Sequence, residues 1–268
     1  MPPNVDLYDS AYRNYDLDTY RQVRVETYGE DLGQTSWVTT EESGEIPRLL
    51  ELQSNSYVLE VGCGSGEYAL HLAETIGCRL LGLDINESGI ENANRLALAR
   101  GLATQAHFEL CDASKGLPFD DCSFDAVFSN DVVCHLPRRP QVIGEIFRVL
   151  KTGGRMLFSD ALVVGGMLSH EEIATRSSIG FYVFSPPGEN DRVIEQAGFR
   201  LIRVTDTTEN AARIAMRWHH AREKRKEALV AAEGELNFEG LQRFLSCVHL
   251  LTQERRLLRL LYVARRDS

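Results

Sequence analysis

A glycine-rich loop is the first feature of this sequence that could bind a ligand. Residues 57–67 read YVLEVGCGSGE, so a hydrophobic run breaks into three glycines at alternate positions, Gly62, Gly64 and Gly66. Glycine has no Cβ, which lets the chain turn tightly and lets a ligand approach the backbone closely. Dinucleotides and nucleoside triphosphates both bind loops of this type, and the spacing of the glycines distinguishes them.

The spacing argues against a ligand that carries phosphates. A P-loop needs GK[ST] after its glycines, and no such triplet follows. The dinucleotide fingerprint GxGxxG places its third glycine three residues after the second, a position that Glu67 occupies here. We expect Glu67 to begin a helix, where its negative charge would oppose a pyrophosphate. The loop therefore favours a ligand without phosphate.

The pattern around this loop resembles a known family. Glu60 lies two residues before Gly62 and completes E-x-G-x-G-x-G, which resembles motif I of the class I S-adenosylmethionine (SAM)-dependent methyltransferases. The segment FRVLKTGGRMLFSD resembles that family's RVLKPGG segment, with Thr152 in place of the usual proline. The resemblance covers residues 56–160 closely and the last two predicted strands loosely. It implies SAM as the cofactor and S-adenosylhomocysteine (SAH) as its product.

The same resemblance assigns further residues to the cofactor. Asp84, followed by Ile85, stands where the family has a carboxylate that accepts the ribose hydroxyls. Asp112, with Ala113 beside it, matches the acid that binds the adenine amino group, and Asn130 lies where the backbone contacts the methionine moiety. Taken singly, Asp84 could be a helix cap and Asp112 a turn residue. Their order along the chain favours the cofactor roles.

Methyl transfer is an in-line displacement, so the protein mainly aligns the nucleophile with the methyl group. A general base is needed only if the acceptor must lose a proton. His135, in the segment NDVVCHLP, is the first candidate base, because it follows the fourth predicted strand. The alternative is that His135 caps a short helix before Pro137. Asp131 is the second candidate, with loop capping as its alternative.

Three acceptor classes do not fit this segment. DNA amino-methyltransferases carry [DN]PP[YF] where this chain reads NDVV, and cytosine-C5 enzymes need a Pro-Cys pair where Cys134 follows Val133. Metal-dependent catechol-type enzymes place an Asp-Asn pair after the fifth strand, where this chain has Asp160 and Ala161. The comparison favours another kind of acceptor and predicts no metal site.

The N-terminal segment is predicted to select the acceptor. It is rich in tyrosine and resembles the lids of glycine/sarcosine, phosphoethanolamine and ubiquinone/tocopherol-type methyltransferases, which close over SAM and the acceptor. On this resemblance Gln34, Thr35, Ser36 and Trp37 could touch SAM, and the alternative is ordinary packing of a helix and loop. The segment IGFYVFSPP, residues 179–187, is either a pocket wall or part of the lid core.

Short apolar runs alternate with helical patterns, which predicts a doubly wound α/β sheet with a Rossmann-like core. The predicted strands are Tyr57–Val61, Arg79–Asp84, His107–Leu110, Phe124–Ser129, Arg155–Ser159, Phe199–Thr205 and Arg256–Arg265. Helices are predicted after Asn86, over residues 140–150, before the sixth strand, and over about 208–254. The family resemblance implies that the last of the seven strands is antiparallel.

Segments outside this alternation indicate a mainly helical cap. We predict an N-terminal helical lid over residues 1–55, a SAM-binding core over 56–160, and cap insertions plus the last two strands over 161–268. The basic run RWHHAREKRKE is predicted to be the solvated side of a helix, because Ile214, Trp218, Ala221 and Leu229 repeat on its other face. The alternative is a basic rim that attracts an anionic acceptor, such as a phosphate or a carboxylate.

Composition narrows the class of protein. The 268 residues carry a net charge of −10, which disfavours nucleic-acid partners because such binding depends on basic residues that meet phosphates. No run is long enough to span a membrane, and no secretory signal is visible at the N-terminus, so the cytoplasm is the expected location. The six cysteines lack zinc-site spacing and are predicted to be reduced and buried.

These observations predict a cytoplasmic SAM-dependent methyltransferase. The predicted acceptor is a small molecule methylated at N or O, possibly at C, and the predicted state is a monomer or homodimer that binds neither nucleic acid nor membrane. Two alternatives remain at this stage: an RNA or protein methyltransferase on the same fold, and a SAM-binding sensor or subunit without turnover.

Overall fold

In a computed structural model, which describes residues 5–267, the protein is built on one seven-stranded sheet of order β3-β2-β1-β4-β5-β7-β6. The strands are β1 Tyr57–Val61, β2 Arg79–Asp84, β3 Ala106–Leu110, β4 Phe124–Ser129, β5 Leu150–Val164, β6 Arg200–Asp206 and β7 Leu257–Arg265. Neighbours among β1 to β5 are parallel, and β7 is antiparallel to both β5 and β6. The predicted fold class and the antiparallel last strand are confirmed.

Helices cover both faces of the sheet. They are α1 Tyr8–Arg13, α2 Asp18–Tyr28, α3 Thr40–Leu49, α4 Glu67–Ile76, α5 Glu87–Ala99, α6 Arg139–Val149, α7 His170–Arg176, α8 Glu189–Gln196, α9 Thr208–Glu223, α10 Lys226–Glu233 and α11 Glu235–Gln253. Apolar residues of α3, α4 and α5 share one core with the sheet, and those of α6 and α8 share the other. Alternate strand residues such as Val58 and Leu59 point into opposite cores.

The fifth strand is longer than the sequence predicts. Arg155–Ser159 is the expected strand, whereas β5 begins at Leu150, directly after α6, and ends at Val164. The additional residues at its end pair with β7 as far as Leu257. This antiparallel pairing keeps the chain extended past Ser159, the residue at which the predicted strand ends.

The helical cap has a hydrophobic core of its own, separate from the two cores beside the sheet. Buried side chains of α2, α9 and α11 pack around Trp37, Trp218 and Phe244. The face predicted for the basic run is buried as expected, but Arg222 of that run is buried as well and forms an ion pair with Glu233. The expectation that all of its basic residues are solvated is wrong at this position, because α10 brings a carboxylate against the helix.

The predicted lid, residues 1–55, contacts two parts of the molecule. Within its described residues, Tyr20 and Val23 of α2 belong to the cap core. In contrast, Ile46 of α3 and Leu50 after it are buried with the sheet. The segment that covers the sheet edge is thus shorter than the predicted lid, and residues 1–4 lie outside the described range.

Three further properties follow from the described residues. None of the helices between residues 5 and 267 is long and apolar enough to cross a membrane. The same residues contain no cluster of three His, Cys, Asp or Glu side chains that could hold a metal ion. All six cysteines are free, but only Cys78 and Cys134 are buried. Burial was predicted wrongly for the exposed Cys122, and Cys63, Cys111 and Cys247 are only partly buried.

Gly66 offers a test of how the loop is packed against the helices. Its φ is +73°, and a Cβ there would lie 2.6 Å from Cβ of Ala93 and 2.8 Å from the Phe108 ring. We expect Gly66→Ala to lower the free energy of unfolding by about 3 kcal/mol, from left-handed strain plus overpacking. Gly101→Ala is the matched control, because Gly101 has φ +71° with nothing within 4 Å of the added Cβ. Equal losses in urea unfolding of the two variants would contradict a packing role for Gly66.

Candidate active site

A cavity of about 590 Å³ lies at the carboxyl ends of β1, β2 and β4. This is the edge where ligands bind in open α/β sheets. Its walls come from the loops after these strands, from α1 with the loop before α3, and from residues after α7. The cavity therefore joins segments that are far apart in the sequence.

The glycine loop forms the floor of this cavity, with a different role for each glycine. Gly62 and Gly64 line the cavity, whereas Gly66 does not. A Cβ on Gly62 would collide with Val132, and one on Gly64 would lie 2.6 Å from the Tyr12 hydroxyl. Gly66 was predicted to bind the cofactor, but its missing side chain makes room for neighbouring helix and strand residues instead.

Glu60 and Asn130 present unpaired oxygens in the cavity wall. Oε2 of Glu60 and Oδ1 of Asn130 are buried and accept no hydrogen bond from the described residues. Burial, together with the nearby Asp84 carboxylate, raises the pKa of Glu60 to about 8. Buried oxygens without a donor are costly, so both are suited to a ligand that brings N–H groups.

The Asp84 carboxylate is held by the backbone at the end of β2. Its two oxygens accept hydrogen bonds from the N–H groups of Gly64 and Asn86, each at 2.8 Å. A carboxylate has about four acceptor positions, so each oxygen retains room for another donor. Burial raises its pKa. Ile85, which follows it, also lines the cavity and is largely exposed.

Asp112 and Ala113 line the cavity after β3. Oδ1 of Asp112 accepts from the Ser114 backbone N–H at 3.0 Å and from its hydroxyl at 2.6 Å. These bonds cap a short 3-10 helix and lower the pKa of Asp112. Asp112 is thus a turn residue, as its alternative predicted, and it also faces the cavity. Its Oδ2 lies 3.2 Å from Nζ of Lys115.

The loop before α3 closes one side of the cavity. Gln34, Thr35, Ser36 and Trp37 all line it. The Trp37 ring also packs against Trp218 of the cap, with ring centroids 5.9 Å apart. Both predicted alternatives, a cavity wall and ordinary packing, therefore describe this loop.

The Asp131 carboxylate is engaged in hydrogen bonds within the protein, which does not support its prediction as a base. Its carboxylate accepts hydrogen bonds from the Ser159 hydroxyl, the Arg259 guanidinium and the Trp37 backbone N–H, at 2.8–2.9 Å. It is buried and adopts a left-handed φ of 59°. Since both oxygens are engaged, Asp131 fixes the loop, as its alternative predicted.

His135 contacts the cavity from the loop after β4. Its Nδ1 lies 3.0 Å from the Phe181 carbonyl oxygen, and its Nε2 lies 3.0 Å from the Tyr8 hydroxyl. A carbonyl can only accept, so Nδ1 carries the proton and Nε2 accepts from Tyr8. Burial lowers the pKa of His135 to about 4, which keeps the ring neutral at pH 7.

Two side chains of this site, Tyr8 and Arg176, carry no motif that marks them in the sequence. Burial raises the pKa of Tyr8 far above its ordinary value, so it stays a phenol. Arg176, at the end of α7, is buried in the wall beside Tyr182. Tyr182 stacks on His135 at 4.2 Å between ring centroids and lies in the predicted IGFYVFSPP wall.

Glu67 has another role than the sequence suggests. Its carboxylate accepts a hydrogen bond from the Tyr15 hydroxyl at 2.7 Å and forms an ion pair with Arg100. It is buried and does not line the cavity. The charge is compensated by Arg100, so Glu67 fastens the N-terminal segment to α4, and the repulsion expected against a pyrophosphate is weaker than its position indicated.

Comparison with known sequences identifies the family of this chain. The methyltransferase domain family matches residues 59–158. The chain is 30% identical to the O-methyltransferase resE of Aspergillus sclerotiorum over 66% of this chain and 67% of that protein. It is 32% identical to the methyltransferase GfsG of Streptomyces halstedii, over 62% of this chain and 60% of GfsG. It is 26% identical to 27-O-demethylrifamycin SV methyltransferase of Amycolatopsis mediterranei, over 85% and 89% of the two chains.

Solved structures share the fold. Phosphoethanolamine N-methyltransferase 2 of Haemonchus contortus, in complex with phosphomonomethylethanolamine and SAH, superposes with a TM-score of 0.81 at 21% identity. The match covers 97% of this chain and 60% of that one. The mycolic acid cyclopropane synthase CmaA1, complexed with SAH and CTAB, gives a TM-score of 0.80 at 16% identity over 96% and 98% of the chains.

The fold, the cavity and the relatives agree on one class. This chain belongs to the family of SAM-dependent methyltransferases. SAM is its methyl donor, and the unpaired oxygens of Glu60 and Asn130 fit a cofactor that carries an ammonium group.

Glu60 gives this site a measurable pH dependence. Its pKa is near 4.5 when exposed and about 8 when folded, so between these values the folded protein retains a proton that the unfolded chain has lost. Stability must then fall as pH rises through this window. We expect the free energy of unfolding, measured in urea from pH 5 to 8, to fall more steeply with pH for the wild type than for Glu60→Gln. The difference arises because only the wild type releases the Glu60 proton on unfolding.

The control is Glu109→Gln, since Glu109 is exposed and should retain the wild-type slope. Glu60→Gln should also bind SAH about tenfold more weakly in calorimetry, because an adjacent ammonium favours the ionised form of Glu60 and an amide cannot supply that charged acceptor. Parallel pH profiles for the wild type and Glu60→Gln would exclude the raised pKa.

Proposed function

We propose that this chain transfers the methyl group of SAM to a nitrogen, oxygen or carbon atom of a small molecule. The observation that carries the proposal is a single cavity in which the predicted cofactor residues face the neutral His135–Tyr8 pair. A group that can accept a proton thus lines the same cavity as the carboxylates suited to the donor.

The cofactor side is assigned to four residues. Asp84 would accept the ribose hydroxyls with its free lone pairs, and Asp112 would accept from the adenine amino group. The free side-chain oxygens of Glu60 and Asn130 would accept from the donors of the methionine moiety, for which the sequence predicts a backbone contact at Asn130. When bound, SAM supplies an electrophilic methyl group on a sulfonium, whose departure needs no acid.

The acceptor side is assigned to His135 and Tyr8. The Phe181 carbonyl fixes the tautomer of His135, so the Nε2 lone pair points toward Tyr8. Nε2 can receive a proton directly from the acceptor if the acceptor replaces the Tyr8 hydroxyl as its hydrogen-bond donor. Alternatively, the Tyr8 hydroxyl passes its own proton to Nε2 and takes one from the acceptor. Tyr8 alone is a poor base, because its phenol stays protonated. His135 is therefore the proposed general base, and Tyr8 its positioning partner.

The size of the cavity supports a small acceptor. Drug-sized ligands occupy roughly 300–1,000 Å³, and about 590 Å³ must hold donor and acceptor together. Of the relatives described above, resE is named for O-methylation and the Amycolatopsis mediterranei enzyme for a small-molecule acceptor, 27-O-demethylrifamycin SV. The structural neighbour from Haemonchus contortus is named for N-methylation. None of them is named for an RNA or a protein acceptor, so the RNA or protein alternative has no specific support. Location in the cytoplasm and a monomeric or homodimeric state stay predictions from the sequence.

The direct test uses methyl-labelled SAM with the purified protein. An ultrafiltered metabolite extract, total RNA and a protein extract are offered separately. We expect label in a product of the metabolite fraction. Label in RNA or protein would favour the alternative acceptors, and SAH binding without labelled product in any fraction would favour a sensor or subunit.

His135 and Tyr8 should then separate catalysis from binding. We expect His135→Ala to lower kcat by about 100-fold, the range of general base catalysis. Tyr8→Phe should lower kcat by about tenfold, because one orienting hydrogen bond is lost. The affinity for SAH should change by less than about threefold in both, since neither group is assigned to the cofactor.

Tyr20→Phe is the matched control for Tyr8→Phe. Its hydroxyl also lies in the N-terminal segment, but it bonds to Ser10 and Glu233 outside the cavity. It should retain wild-type turnover. Unchanged kcat in His135→Ala would remove His135 from the mechanism.

A further inference from the structure

Five arginines are almost completely buried among the described residues, and four of them have a carboxylate partner. The pairs are Arg24–Asp31, Arg139–Asp160, Arg222–Glu233 and Arg259–Asp131. Arg176 is the exception: it is 1% exposed, no ion pair to a described carboxylate is formed, and its Nη1 has no hydrogen-bond partner. An arginine stays charged in a protein, so this site buries a cation without a counter-ion.

Aromatic rings surround the Arg176 guanidinium. Its central carbon lies 4.5 Å from the ring centre of Tyr182, 5.1 Å from that of Phe244 and 5.8 Å from that of Trp37. Such contacts stabilise a cation, but by less than the cost of removing it from water without an anion. The rings thus hold the guanidinium in place, but they leave it without the ion pair that would stabilise it most.

Arg176 also gives the cavity an uneven charge distribution. Within residues 5–267, it is the one Lys or Arg in the cavity wall. The carboxylates of Glu60, Asp84 and Asp112 lie on the side assigned to the donor. Tyr182, in contact with Arg176, stacks on His135, so the cation lies one ring away from the proposed base.

We propose that Arg176 binds a carboxylate of the methyl acceptor. This inference rests on the proposed function and names the acceptor class within it. The planar guanidinium matches a carboxylate in charge and in the spacing of its donors. A phosphate dianion would call for more cationic donors than this wall supplies. Of the rings around Arg176, those of Trp37 and Tyr182 line the cavity and would contact the apolar body of the acceptor.

The position of Arg176 determines which part of the acceptor reacts. A carboxylate paired with the guanidinium is separated from His135 by the Tyr182 ring. The methylated atom is therefore another nucleophile of the same molecule, an amine or hydroxyl that reaches the His135–Tyr8 pair. The product keeps its carboxylate.

Calorimetry on the SAH-loaded protein tests the anion site without knowledge of the natural acceptor. The probes are benzoate, its neutral analogue benzamide, and inorganic phosphate. We expect benzoate to bind, and benzamide and phosphate to bind at least about tenfold more weakly, as expected when a charge-assisted hydrogen bond is lost. Equal binding of benzamide, or tighter binding of phosphate, would overturn the carboxylate assignment.

Arg176→Met removes the charge with little change in volume. We expect benzoate affinity to fall at least about tenfold, with SAH affinity unchanged and a melting temperature equal to or above that of the wild type, since an unpaired buried charge is replaced by an apolar side chain. Arg213→Met, at a half-exposed arginine of α9, is the control and should bind benzoate normally. Retained benzoate binding in Arg176→Met would contradict the proposal.

A second variant keeps the test decisive if Arg176→Met does not fold. Arg176→Lys keeps the charge but loses the planar fork, so its benzoate affinity should lie between those of the wild type and Arg176→Met. If Arg176→Met does not fold, wild-type affinity in Arg176→Lys would overturn the proposed bidentate site. SAH binding separates the two hypotheses. If the wild-type protein does not bind SAH, the proposed function is refuted. If it binds SAH but not benzoate, only the carboxylate site is refuted.

Discussion

The buried ion pair between Arg259 and Asp131 is the contact on which the site depends. Arg259 is fully buried on β7, and its guanidinium donates to Asp131 at 2.8 Å and to Glu42 of α3 at 2.7 Å. Asp131 in turn accepts the backbone N–H of Trp37. One cation therefore joins the last strand, the loop after β4 and the N-terminal segment. Removing one partner of such a pair would leave a buried charge without compensation.

The position of the loop that carries His135 depends on this network. Asp131 is held in a left-handed conformation, which few residues other than glycine adopt without compensating contacts. Hydrogen bonds to Ser159 and Arg259 provide that compensation. Four residues later, His135 meets the Phe181 carbonyl and Tyr8. The tautomer of the candidate base is thus set by segments on either side of it in the sequence.

The cavity divides its charges according to the two ligands that it is proposed to hold. Carboxylates lie where a cationic donor with hydroxyl and amino groups is expected, while a single guanidinium lies on the acceptor side. Between them, burial keeps His135 neutral. A neutral imidazole can accept a proton, whereas an imidazolium cannot. The same low-dielectric surroundings therefore strengthen the charge contacts and keep the proposed base unprotonated at pH 7.

Local sequence determined the sheet, the glycine loop and the donor. Short-range patterns such as the run before Gly62 and the acid at Asp84 specify strands, turns and strand ends, because their causes lie within a few residues. Tertiary structure decided the roles that depend on distant partners: Asp131 became a structural ion pair through Arg259, and Gly66 a packing position through Phe108. Arg176 has no local pattern at all. Its isolation from any carboxylate arises only when the folded chain surrounds it, because a missing partner is a property of three-dimensional packing.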